Sequence, residues 1–136
     1  MPKVKASDIV FIGIRDAEAE EWGLIDDNKI LCFGPDDLKE HGIYYALNKA
    51  VAQLSTCDLI YVSFDADSVD PSIANGTGTP SPDGLTLNEA EAVFSFLMKL
   101  PNLGAFEITE INPSLDSGER KMARVMADLL IHGLGS

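Results

Sequence analysis

Ile9-Val10-Phe11-Ile12-Gly13-Ile14 is an unbroken, largely β-branched apolar run that stops at Arg15. A strand wet on one side alternates apolar and polar residues, so a continuous run predicts a strand covered on both faces, as strands in parallel sheets are. Ile30-Leu31-Cys32-Phe33 is a second, shorter strand. Gly34-Pro35-Asp36 then opens a helical stretch with Ile43, Leu47, Val51 and Leu54 at helical spacing, and Gly42 is placed to break its first turn. Leu59 to Phe64 is the central strand. Thr86, with Glu89 three residues later, is a capping box for a helix running to about Leu100, where Pro101 stops the pattern. Ala105 to Ile108 is a further strand, and Asp116 with Glu119 is expected to cap a last helix through Val125, Leu129 and Leu130. Strands alternating with helices predict an α/β fold of three layers, αβα, around a mainly parallel sheet. No repeat or linker divides the chain, so residues 1–136 are expected to form a single domain.

Charge and cysteine content narrow the classes of function. A formal net charge of −12 opposes phosphate backbones and anionic lipid, which excludes nucleic acid and membrane surfaces and favours cationic substrates, metal ions or basic partners. Cys32 and Cys57 stand alone, without a Cys-x-x-Cys pair, and read as reduced thiols of a cytoplasmic protein. The start of the chain, Met1 to Ser7, carries two lysines, but the apolar run after it is too short and too strand-like for a signal or membrane-spanning segment.

In parallel α/β sheets chemistry gathers at the carboxyl ends of the strands. That rule predicts one acidic rim made of Asp16 and Glu18, Asp65 and Asp67, and Glu110, each just past an apolar run. Asp65 and Asp67 are the strongest pair. Carboxylates at this spacing can ligate hard divalent ions such as Mn²⁺ or Mg²⁺, and they can equally serve as turn formers that accept backbone N–H bonds before Pro71. An EF-hand loop is disfavoured: Asp70 stands where that loop needs Gly, and Gly76 where it needs a bidentate Glu. The loop from Asp65 to Leu85 is long for a compact domain and rich in Pro, Gly, Ser, Thr and Asn, a length that usually serves function.

The segments Ser63-Phe64-Asp65-Ala66-Asp67-Ser68-Val69-Asp70-Pro71-Ser72, Gly76-Thr77-Gly78-Thr79-Pro80, Gly84-Leu85-Thr86 and Glu110-Ile111-Asn112-Pro113-Ser114-Leu115 resemble, in order and spacing, the C-terminal half of the ureohydrolase family of arginases, agmatinases and formimidoylglutamases. The likeness is nearest to arginase. Asp8-Ile9-Val10-Phe11-Ile12-Gly13-Ile14-Arg15-Asp16 is similar to the arginase strand that leads into its substrate-recognition loop, so the resemblance runs from about residue 8 to about residue 131.

The resemblance implies an αβα fold, present here as a single partial domain. It also implies a site of two Mn²⁺ ions, whose shared hydroxide attacks the guanidinium carbon of a small guanidino substrate and releases urea. Arginine is the first expectation for that substrate, from Arg15-Asp16-x-Glu18. By the same resemblance Asp65 and Asp67 are metal ligands, Glu110 holds the guanidinium, Thr79 lies at the substrate pocket, and Asp16, Glu18 and Glu21 receive the substrate α-amino group. On the residues alone, Glu110 can be a strand-end cap, Thr79 a turn hydroxyl, and Glu18 and Glu21 a solvated helix start.

The family's Gly-Gly-Asp-His and Asp-Ala-His-x-Asp segments are absent, and His41 and His132 lie in predicted helices outside any such motif. The chain alone is therefore expected to be inactive, with an N-terminal half, or another copy paired along an open sheet edge, as its partner. Two other readings remain: a non-catalytic remnant or subunit that binds a partner, and a haloacid-dehalogenase-like phosphatase, whose nucleophile motif Asp65-x-Asp67-x-Val69 also resembles. That motif needs a later Lys and acidic pair, whereas the downstream residues follow the ureohydrolase pattern.

Overall fold

The computed structural model describes residues 4–116 and 119–135, so Met1 to Lys3 of the N-terminal segment lie outside the described residues. Two compact units divide the chain, one up to Asp58 and one from Leu59 onward. Each is built on a pair of parallel strands, so the fold is α/β with parallel pairing, as the apolar runs predict. Among the described residues no helix is long and apolar enough to cross a membrane.

In the first unit β1 (Val10–Ile12) pairs with β2 (Leu31–Phe33) in the register Val10 to Leu31 and Ile12 to Phe33. β1 is shorter than the apolar run because Gly13 turns to φ +82°, although its N–H still donates to the Phe33 carbonyl at 2.8 Å. Helix α1 (Ala19–Asp27) connects the strands, and its first turn is fixed by the Glu18 N–H donating to Glu21 Oε2 at 2.8 Å. The helical stretch after β2 is two helices. α2 (Pro35–His41) is started by the Gly34 N–H donating to Asp37 Oδ2 and ends at Gly42, whose φ of +82° no β-carbon tolerates well. α3 (Ile43–Gln53) then buries Ile43, Ala46, Leu47 and Ala50 on one face. Half-burial pushes the Cys32 thiol up to about 11, with the Asp37 and Asp26 charges adding to the effect, which makes it an unreactive structural group.

In the second unit β3 (Ile60–Asp65) pairs with β4 (Leu103–Thr109), which starts two residues earlier than its apolar pattern suggests. The register runs from Ile60 opposite Leu103, skips Gly104 in a bulge, and continues from Tyr61 opposite Ala105 to Asp65 opposite Thr109. Helix α4 (Leu87–Leu97) begins with the expected box: the Thr86 N–H donates to Glu89 Oε2 at 2.9 Å and the Glu89 N–H to Thr86 Oγ1 at 3.3 Å. Its Phe94 is fully buried between Phe64 and Phe106, ring centroids 4.8 and 4.9 Å away, and this aromatic stack joins helix to both strands. Helix α5 (Lys121–Gly135) packs Met122, Met126 and Leu129 inward and crosses α4 at Gly133, where a β-carbon would stand 3.0 Å from Phe94 Cβ. The start of α5 is held by Asp116. Its two carboxylate oxygens accept the N–H groups of Met122 and Ala123 at 2.9 and 3.1 Å.

Two glycines give opposite expectations. A β-carbon at Gly84 would lie 2.5 Å from Asp70 N and 2.7 Å from Val69 C, backbone atoms that cannot yield, so Gly84→Ala should destabilise the chain by about 1–3 kcal/mol. At Gly23, inside α1, nothing lies within 4 Å, and Gly23→Ala should stabilise by about 0.5–1 kcal/mol. Urea denaturation of both variants checks the pair; equal effects would mean that the loop at Gly84 is not held against Val69 and Asp70.

Candidate functional site

The site of the second unit is set by where β3 and β4 end. Alternation along β3 turns Ile60 and Phe64 into the core and puts Tyr61, Ser63 and Asp65 on the opposite face, so the last strand residue delivers its carboxylate away from the aromatic stack. A single 3₁₀ turn, Ala66–Ser68, follows at once, with Ala66 and Val69 buried beneath it. The turn is closed by three bonds. The Asp67 N–H donates to Asp65 Oδ1 at 3.0 Å, the Ser68 hydroxyl donates to the Asp65 carbonyl at 2.6 Å, and the Thr79 hydroxyl reaches across the loop to Asp67 Oδ2 at 2.8 Å.

The loop that carries Thr79 is ordered by a residue with no site role in the sequence reading, Asp70. One of its oxygens accepts the N–H and the hydroxyl of Ser72, the other the Gly84 N–H at 3.2 Å, and its own N–H donates to the Leu85 carbonyl at 3.0 Å. Leu85 returns the bond to Ser68, making a short parallel bridge that brings both ends of the loop together. A second tie joins this loop to the one after β4, where the Asn112 N–H donates to the Gly76 carbonyl at 2.8 Å. The Thr77 hydroxyl is buried and finds no hydrogen-bond partner among the described residues.

Glu110 follows β4 directly and is exposed, with φ at +59°. A non-glycine residue in that region is strained, and such strain concentrates where a side chain must be aimed. Its charge reaches Asp65. Half-burial, then the neighbouring Asp67 and Glu110 carboxylates, push the Asp65 carboxyl from 3.8 up to about 6, although the Asp67 backbone N–H bond pulls it the other way. Asp65, Asp67, Thr79 and Glu110 are thus brought together at the strand ends of one unit. Asp16, Glu18 and Glu21 belong to the other unit, all exposed before or within the first turn of α1, with Glu21 engaged in the helix cap. His41 closes α2 with its ring 4.8 Å from that of Tyr45, and His132 is exposed on α5.

Carboxylates are the donor chemistry that hard divalent cations prefer, and Asp65 with Asp67 fits a part of such a shell. Among the described residues no group of three or more His, Cys, Asp and Glu could hold a metal ion, so the fit stops at two ligands.

Residues 1–135 match the arginase family. The chain is 34% identical over 134 residues to the arginase of Emericella nidulans, covering 98% of this chain and 41% of that protein. It is 34% identical over 130 residues to the arginase of Brevibacillus brevis, covering 95% of this chain and 43% of that one. Among solved structures, the arginase of Bacillus subtilis superposes with a TM-score of 0.93 at 27% identity over all of this chain and 50% of the other. The formimidoylglutamase of the same species gives 0.88 at 25% identity, over 96% of this chain and 41% of the other. The chain therefore spans between two fifths and a half of the length of these relatives.

The raised Asp65 carboxyl has a definite sign in stability. Its value in the folded chain lies above the ordinary one, so the folded state holds the extra proton, and the contribution is complete below about pH 4 and lost as pH rises through about 6. With chelator present, the stability of Asp65→Asn relative to the parent should rise across that interval. Parallel urea midpoints for the two proteins from pH 4 to 7 would remove this account of the carboxylate cluster.

Proposed function

The chain belongs to the arginase family, and on that premise we propose that it is the C-terminal part of a manganese-dependent hydrolase that cleaves the guanidino group of a small cationic substrate, arginine first, to release urea. The observation that carries the reading is the grouping of Asp65, Asp67, Thr79 and Glu110 at the ends of β3 and β4.

Asp65 and Asp67 are the residues that would hold Mn²⁺, which when bound supplies a nucleophilic water at neutral pH and polarises the reacting carbon. Thr79 fixes the rotamer of Asp67 through its hydroxyl bond. Glu110, exposed at the loop edge and aimed by its left-handed backbone, pairs with the guanidinium, whose planar fork of N–H donors matches a carboxylate. Asp16, Glu18 and Glu21 are assigned to the α-ammonium end of the substrate, and the net charge of −12 draws such a cation in. Because Asp65 holds a proton up to about pH 6, cation binding there competes with protons and strengthens as pH rises through that value.

The remaining ligands and the proton shuttle come from the part of the fold that this chain does not span, an N-terminal half. On its own the chain does not turn over. A reducing, cytoplasmic setting suits the free thiols of Cys32 and Cys57. A second reading, a subunit that binds a partner or a basic ligand without catalysis, is favoured by one observation, the lack of a complete ligand group among the described residues.

A fusion of the N-terminal part of Bacillus subtilis arginase to this chain separates the readings. The fusion should bind Mn²⁺ and release urea from arginine. Asp65→Asn should lose metal first, whereas Glu110→Gln should keep its metal and lose about 2–5 kcal/mol in kcat/KM, the cost of a desolvated cation facing a neutral amide. Elemental analysis and urea release on both variants decide: metal loss in Glu110→Gln, or unchanged kcat/KM with metal retained, makes Glu110 structural, and turnover by the isolated chain overturns the need for a second half.

A further inference from the structure

The loop that carries Thr79 leaves the core at Val69 and returns to it at Leu85 through one neck. Val69 and Leu85 are buried and bridge in parallel, whereas Gly78, Thr79 and Pro80 at the far end are exposed. Asp70 clamps the neck. Its N–H donates to the Leu85 carbonyl at 3.0 Å, one carboxylate oxygen accepts from the Ser72 N–H and hydroxyl, and the other accepts the Gly84 N–H, fourteen residues on, at 3.2 Å. Gly84 permits this approach, since a β-carbon there would stand 2.5 Å from Asp70 N. The returning chain is strained just before it, with Asp83 at φ +61°, a region that a non-glycine residue keeps only when its surroundings over-determine it. The Asp70 carboxylate supplies that restraint from the other side of the neck.

At the far end one exposed bond, from the Thr79 hydroxyl to Asp67 Oδ2 at 2.8 Å, spans twelve residues. A hydrogen bond at the surface is exchanged against bonds to water for a small net gain, and closing a flexible loop costs entropy. That bond is therefore too weak to order the loop by itself. The clamped neck orders it first and presents Thr79 to Asp67 already in place.

We propose that Asp70 is a positioning residue for the carboxylate pair: by clamping the loop neck it holds Thr79 where its hydroxyl fixes the Asp67 carboxylate, and so sets how tightly that carboxylate holds a divalent cation. Only the last step rests on the reading of Asp67 as a metal ligand; the positioning of Thr79 does not. The clamp needs a carboxylate because donors face both of its oxygens. In Asp70→Asn one oxygen becomes an NH₂ group of the same size, and whichever way the amide turns it sets a donor against the Ser72 N–H or the Gly84 N–H.

The test reads Thr79 directly in this chain, through the three-bond NMR couplings of its methyl carbon to the backbone nitrogen and carbonyl carbon, which report χ1. Thr79 should hold one rotamer in the parent and average over several in Asp70→Asn, while Thr109 of β4 stays unchanged. Ser72→Ala removes one donor from the clamp and leaves the Gly84 bond; it should give partial averaging, and it decides the matter if Asp70→Asn does not fold. In the fusion described above, Mn²⁺ alone, followed by electron paramagnetic resonance, should bind about tenfold more weakly to Asp70→Asn and to Thr79→Val, and combining the two should weaken it little further. A single Thr79 rotamer in both clamp variants overturns the inference, and the proposed function stands if the parent fusion still binds Mn²⁺ and releases urea. Averaging at Thr79 with unchanged Mn²⁺ affinity also overturns it, because the clamp then orders a loop without tuning the carboxylate. Averaging at Thr79 when even the parent fusion binds no Mn²⁺ supports Asp70 as the residue that positions Thr79 and overturns the manganese reading.

Discussion

Like-charge repulsion is the constraint around which the second unit is organised. Asp65 lies in the fields of Asp67 and Glu110, and its carboxyl rises to about 6, with burial the largest cause and those charges adding to it. A loop free to move would relax it by swinging the carboxylates apart into water. Relaxation is blocked because each member is held by a separate bond or backbone constraint. Asp65 is tied by the Asp67 N–H, Asp67 by the Thr79 hydroxyl, and Glu110 by a left-handed backbone fixed between β4 and the Asn112 tie. Fixed carboxylates that repel are poised for a cation, since the free energy of their repulsion is recovered when one binds.

That holding force is traceable to packing. Phe94 locks between Phe64 and Phe106, so the two strands that end in Asp65 and Thr109 cannot slide against one another without opening the aromatic stack. Gly133 lets α5 approach close enough to cover the far side of Phe94, and Asp116, which starts α5, lies against Gly76 of the functional loop, with its carboxylate 2.7 Å from where a β-carbon would stand. The core and the loop therefore share residues. A change in either should be felt in the other.

Much of this was legible in the residues. The apolar runs marked the strands and their parallel pairing, Thr86 with Glu89 marked the start of α4, and the strand-end rule brought Asp65, Asp67 and Glu110 to one place. What escaped depends on partners distant in sequence. The two-helix form of the stretch after β2 was half visible: Gly42 was placed to break it, and its positive φ is where α2 ends and α3 begins. Asp116 looks like an ordinary N-cap, yet it accepts from residues six and seven positions on. Asp70 stood out in the residues only as a mismatch to an EF-hand loop, and its bond to the Gly84 N–H closes a loop whose length conceals the pairing. Asp16 and Glu18 follow the same strand-end pattern as Asp65; they and Glu21 belong to the first unit, and the periodicity of one segment carries no information on its placement against another.

Alternation along β3 connects the carboxylate site to the face of the strand pair opposite the aromatic stack. The period of two that buries Phe64 leaves Ser63 and Asp65 side by side on the other side, with Glu107 opposite Ser63. A strand with water on that face throughout would carry polar residues only, as antiparallel strands do. Leu59 and Tyr61 do not fit that pattern, and Ser63, Glu107 and Asp65 do not fit a dry one. The polar end of the face runs along β3 from Ser63 to Asp65, so that face and the carboxylate site are continuous along the strand pair.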